Sequence, residues 1–130
     1  MSTEARRAIE RVAHSIHARG LTHGRTGNLA VRDGERVLVT PTGVSLADVV
    51  ADESSVVGLD GTHVEGPPPT KEAFLHVAML RVHPQANAIV HTHSVHSAAV
   101  SCLSDVDPAD PIPPLTDYGM RVGTLRMLPY

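Results

Sequence analysis

The stretch AIVHTHSVHSAAV, residues 88–100, sets His91, His93 and His96 within six residues of one another behind a short apolar run. AIVHT (88–92) reads as a buried strand by composition, and SVHSAAVSCL (94–103) as a helix. In an extended segment, residues two apart project to the same side. His91 and His93 can therefore aim both imidazoles at one point, the arrangement that a divalent cation requires. Neutral imidazole suits zinc and other first-row metals, and catalytic zinc usually keeps three protein ligands and one open position. Spacing alone leaves the plainer account open as well, that of polar strand-end residues bonded to backbone.

Working outward, PTKEAFLH (69–76) contains Lys71, the only lysine of the chain, beside Glu72. Thr70 is expected to cap a helix that ends before Pro84, because the residue before proline disfavours helical angles. Glu72 then falls in the first turn, where the helix dipole favours a carboxylate. By itself that is a common N-terminal residue. Its neighbours Thr70 and Lys71 share a helix start whose free N–H groups bind anions well. His76 follows four residues on, on the same helical face. It reads as a metal ligand, as the partner of a ligand or as a capped core histidine, with the last two favoured.

Two loops share a further chemistry, Thr26-Gly27-Asn28 and Pro41-Thr42-Gly43. Each offers small residues, free N–H groups and a hydroxyl or amide, the equipment for holding phosphate oxygens. Such tripeptides are usually plain turns. Together with the Thr70-Lys71 helix start they make three in one short chain.

Around these motifs the pattern is mixed α/β. Ser2 or Thr3 caps a helix with apolar residues at Ala5, Ile9, Val12, Ala13 and Ile16, ended by Gly20. NLAVR and RVLVT form a hairpin through Asp33-Gly34, and SVVGL opens a second through Asp60-Gly61 toward His63 and Val64. SLADVV (45–50) reads as a short helical turn, and the prolines of EGPPPT (65–70) forbid regular structure. A proline-rich connection leads to Tyr118 and a last strand, GTLRMLPY (123–130). Helices interleaved with hairpins imply a largely antiparallel sheet. The whole is expected to be one domain over residues 1–130. The last strand stops without a terminal helix, which reads as a domain truncated at its C-terminus.

At 130 residues, 42% hydrophobic and 19% charged, the chain can bury a real core and does not have the composition of a disordered segment. Its formal charge of −3, with no long run of either sign, gives no reason to expect nucleic acid or an anionic membrane as partner. Cys102 is the only cysteine, so an intrachain disulfide is excluded. With no apolar window of membrane-spanning length and a charged N-terminus, the expected address is the cytoplasm.

Taken in order, TGNLAVR, VTPTG, PTKEAFLH and AIVHTHSVHSAAV resemble the class II aldolase/adducin family over residues 21–130. The resemblance implies a three-layer α/β/α fold around a mainly antiparallel sheet and a homotetramer. It implies a divalent metal, most simply Zn2+ with Mn2+ or Co2+ as alternatives, bound by three histidines. His91 and His93 match two of them, and the third lies in the family beyond residue 130. Glu72 matches the catalytic glutamate, sometimes itself a metal ligand. Gly27, Asn28, Thr42, Gly43, Thr70 and Lys71 match the loops that grip substrate phosphate. Tyr118 matches a tyrosine presented to a neighbouring subunit's site, and His96 is given no role.

Within the family, PTKE with PPLTDYGMRVG is most similar to the branch that decarboxylates 3-oxo-tetronate 4-phosphates to dihydroxyacetone phosphate and CO2; fuculose-type aldolases carry paired serines where this chain has Thr70-Lys71. The alternatives are an aldolase or 4-epimerase acting on a sugar phosphate, a Lys71 Schiff base, and a non-catalytic scaffold like the adducin head.

Overall fold

The computed structural model describes residues 1–113 and 115–128, the side chain of Tyr118 excepted. The chain forms two compact units, residues 1–93 and 94–130.

The first unit is built on alternation. Helix α1 (Thr3–Ala18) starts where Ser2 Oγ accepts the Ala5 N–H, and buries Ile9, Ala13 and Ile16. Strands β1 (Asn28–Asp33) and β2 (Arg36–Val39) pair through the turn at Gly34, and β3 (Ser55–Gly58) and β4 (His63–Glu65) form the second hairpin. Strand β5 (Ala88–His91) joins the far side of β1, giving an antiparallel sheet in the order β4-β3-β2-β1-β5. Successive residues point to opposite faces. Leu29, Leu38 and Val56 therefore pack with α1, while Ala30, Val37, Val39 and Val57 pack with Val77 and Leu80 of α2 (Ala73–Val82). The result is the expected α/β/α sandwich, helix on each face of the sheet. Each core leucine or valine contributes on the order of 1.5–3 kcal/mol by leaving water.

Three local expectations are corrected. First, β5 is not buried: it is the outermost strand of the described sheet, and Val90 is exposed. Composition cannot tell an edge strand from a central one. Second, SLADVV forms no helix. Ser45 heads a turn through its Oγ and carbonyl, and Val49 is drawn into the core; a single 3-10 turn follows at Ala51–Glu53. Third, Thr70 does not cap α2. Thr70 accepts the Ala73 N–H at its carbonyl, and Glu72 occupies the capping position. The end of α2 is as expected, with His83 before Pro84.

In the second unit, α3 (Val95–Ser101) forms as expected. A further helix, α4 (Asp117–Val122), was not foreseen. Thr116 caps it by accepting the Gly119 N–H, and Gly123 ends it with a φ of 81°. Residues 123–128 form no strand. Their one described backbone link outside α4 is the Met127 N–H to Pro108 O, and a strand without a ladder partner has nothing to define it. Pro129 and Tyr130, the end of the expected strand, lie outside the described residues. Among the described residues, no helix is long and apolar enough to cross a membrane.

Candidate active site

Strand register gathers the site. β1 pairs with β5 so that Asn28 stands opposite His91, at the same end of the sheet where α2 begins with Glu72. The Glu72 carboxylate turns away from its helix and accepts at one oxygen, Oε2, from two donors. These are Asn28 Nδ2 and His91 Nδ1, the latter 3.0 Å away. Asn28 Oδ1 in turn accepts from Nε2 of His76, which α2 buries completely. His93 follows the end of β5, its ring centroid 4.7 Å from that of His91.

The adjoining loops are fixed by short-range bonds. Thr22 Oγ1 donates to Thr26 O at 2.5 Å, and Thr26 Oγ1 to His23 O at 2.6 Å. Gly27 lies in the left-handed region with a φ of 77°, and a Cβ there would come 2.9 Å from His91 O and 2.8 Å from Thr22 Oγ1. Only glycine lets this loop press against β5. The other two loops are stitched together by Thr42 N–H to Pro68 O and Thr70 N–H to Thr40 O, each 3.0 Å.

Between these loops opens a cleft of about 340 Å³, lined by Gly27, Asn28, Thr42, Gly43, Thr70, Lys71, Glu72 and His93. These residues, all singled out in the sequence, border it with Thr26 and Pro41 of the same loops, and His91 reaches it through Glu72. Tyr118 lies on α4 in the second unit; its side chain is outside the described residues. His96 is exposed on α3. The sequence reading missed Arg25, which lines the cleft as its second cation beside Lys71. Its only sequence signal is its place directly before Thr26-Gly27-Asn28. Also missed was the Asn28 side-chain bridge. The second unit contains a hollow of similar volume, about 330 Å³, but its described lining offers one carboxylate and no imidazole.

Electrostatics follow from these contacts. The Asn28 amide, opposed by partial burial and aided by His91, holds the Glu72 carboxyl below its ordinary range. Burial pushes the His76 imidazole down, and the nearby His91 adds to this while Glu72 opposes it. The side chains of His91 and Glu72 keep 33% and 40% of their surface exposed, so the carboxylate can exchange protons with solvent.

The donor chemistry of the pair fits a first-row divalent cation. With its Nδ1–H given to Glu72, His91 presents a free Nε2 lone pair, the arrangement common where a carboxylate orients a metal-binding histidine. Among the described residues, however, no three His, Cys, Asp or Glu side chains converge on one metal position. The two imidazoles have the donor chemistry for such an ion, and Glu72 is engaged as the hydrogen-bond partner of His91.

The family described as Class II Aldolase and Adducin N-terminal domain matches residues 7–130. The chain belongs to this family. It is 46% identical to a 3-oxo-tetronate 4-phosphate decarboxylase of Haemophilus influenzae over 121 residues, 92% of this chain and 58% of that protein. It is 42% identical to an L-fuculose phosphate aldolase of Escherichia coli over 92 residues, 69% of this chain and 42% of that protein. The crystal structure of YgbL from Escherichia coli superposes with a TM-score of 0.92 at 35% identity, covering 98% of this chain and 63% of that one. The chain spans 58% to 61% of the length of the curated decarboxylases it matches.

Proposed function

We propose that this chain carries the cleft of a metal-dependent carbon–carbon lyase that decarboxylates a 3-oxo-tetronate 4-phosphate to dihydroxyacetone phosphate and CO2. One observation carries the reading: a carboxylate and two imidazoles meet beside a cleft whose lining holds two cations, Arg25 and Lys71. The substrate has two anionic ends, a carboxylate and a phosphate. The similarity to the Haemophilus influenzae decarboxylase supports the same reading.

In this reaction the bond between the carboxylate carbon and C2 breaks. Its electron pair moves into the C2–C3 bond, charge gathers on the C3 oxygen as an enediolate, and C2 then takes up one proton. Gly27 and Gly43 offer the phosphate backbone N–H groups, and Thr42 and Thr70, whose own N–H groups are donated to Pro68 O and Thr40 O, offer hydroxyls. Lys71 and Arg25 meet the anionic ends, Lys71 as a point charge and Arg25 as a planar fork. Glu72 handles the proton at C2: Oε2 is occupied by Asn28 and His91, and Oε1, without a partner among the described residues, faces the transfer. His91 and His93 would hold the divalent cation, most simply Zn2+, with Glu72 beside them. That ion would supply a Lewis acid for the oxygen where charge gathers.

A class II aldolase or 4-epimerase acting on a sugar phosphate is the second reading, favoured by the similarity to L-fuculose phosphate aldolase. The family resemblance further implies a homotetramer in which Tyr118 serves a neighbouring subunit's site; sedimentation analysis tests the assembly. The reaction is tested by giving the zinc-loaded protein a 3-oxo-tetronate 4-phosphate and, separately, fuculose 1-phosphate. Release of CO2 from the first supports the decarboxylase. Aldehyde from the second alone supports the aldolase.

A further inference from the structure

His76, Asn28, Glu72 and His91 share one unbroken set of hydrogen bonds, and only one placement of protons satisfies it. A carboxylate oxygen accepts, so Asn28 must turn its amide nitrogen to Glu72 Oε2. Its amide oxygen then faces His76, whose Nε2 must carry the hydrogen. The other ring nitrogen, Nδ1, is buried and has no partner among the described residues. A bare lone pair there costs less than an orphaned, charged N–H would.

The reverse tautomer would demand the amide nitrogen of Asn28 for itself. That would swing Asn28 Oδ1 onto the Glu72 carboxylate, acceptor against acceptor. Without any donor at position 76, Asn28 Oδ1 loses its buried partner and the amide is held at one end only, by Glu72 Oε2.

We propose that His76 is a positioning residue: its Nε2–H fixes the direction of the Asn28 amide, which pins Glu72 Oε2 and leaves Oε1 free for proton transfer. This rests on the reading of Glu72 as the proton-handling group. His76 does not itself line the cleft, and the one side-chain hydrogen bond described for it is to Asn28.

The wild-type, metal-free protein tests the relay without any variant. Nitrogen-15 NMR should show His76 with a protonated Nε2 and an acceptor Nδ1; a protonated Nδ1 overturns the proposal. Two variants follow. His76→Gln returns an amide donor near the place of Nε2, and His76→Leu removes it. Hydrogen exchange of the Asn28 side-chain amide should stay slow in His76→Gln and become fast in His76→Leu. In the metal-loaded protein, His76→Leu should lower kcat about 10–100-fold, the usual cost of losing a supporting partner, with KM within about twofold. His76→Gln should restore most of kcat. Unchanged kcat in His76→Leu, or a loss carried by KM, overturns the positioning role. If His76→Leu does not fold, the wild-type tautomer and the amide exchange of His76→Gln still decide. Full turnover in Glu72→Gln would instead sink the reading of Glu72 and leave the tautomer result standing.

Discussion

His91 Nδ1 lies 3.0 Å from Glu72 Oε2, although the two residues are 19 positions apart and belong to a strand end and a helix start. This contact orients the imidazole and occupies one carboxylate oxygen. Replacing Glu72 by Gln keeps the shape and lets the amide oxygen accept the same bond. Glu72→Gln should therefore bind zinc within about twofold of the wild type. Its turnover should fall about 10²–10⁴-fold, the range of a lost acid–base group. Elemental analysis beside an assay of CO2 release checks both.

Gly27→Ala should destabilise the protein by about 1–3 kcal/mol, the cost of a non-glycine residue forced into a sparsely allowed backbone region. The added Cβ would also press on His91 O and Thr22 Oγ1. Urea unfolding measures the loss, and unchanged stability would show that the loop relaxes freely.

Arg25→Gln should raise KM about tenfold for a substrate with both carboxylate and phosphate, consistent with about 1.4 kcal/mol for a charge-assisted bond. A ligand with phosphate alone, such as glycerol 3-phosphate, should bind Arg25→Gln and wild type alike. Equal losses for both ligands would place Arg25 on the phosphate.

Acid should weaken the fold through His76. Its folded-state pKa lies below the ordinary value of 6.5, because burial disfavours the charged ring. Below that pH the unfolded chain binds a proton that the folded chain refuses, so the unfolded state is favoured. The contribution is complete above about pH 6.5 and is lost as pH falls toward the folded-state value. Glu72, also lowered, acts in the same direction below its ordinary 4.5. Urea midpoints from pH 8 to 5 should fall more for wild type than for His76→Gln, and the opposite order would contradict the assignment.

Much of this was legible in the sequence because it rests on local signals. The 3.6-residue period from Ile9 to Ile16, the Asp33-Gly34 turn and Pro84 fixed element types and ends through backbone physics. That both sheet faces are covered, Leu38 packing on one side and Val37 and Val39 on the other, was implied by the family resemblance and not by the strand pattern. The spacing of His91 and His93 suggested that their rings lie close, as they do, although β5 ends at His91. What stayed hidden depends on partners distant in sequence. The edge position of β5 is set by strand order, and the Asn28 bridge by the register that puts Asn28 opposite His91. Asn28 reads as a phosphate-loop residue from its neighbours, yet its side chain also joins Glu72 to His76. Helix α4 was hidden by the prolines before it, although Thr116 and Gly123 are ordinary cap signals.

The most direct measurement is product analysis of the zinc-loaded protein with a carboxyl-labelled 3-oxo-tetronate 4-phosphate in deuterium oxide. The expected result is labelled CO2 in step with dihydroxyacetone phosphate carrying one deuteron at its hydroxymethyl carbon. An intact substrate, or label retained in an aldehyde or acid fragment, would contradict a lyase that breaks the bond to the carboxylate carbon.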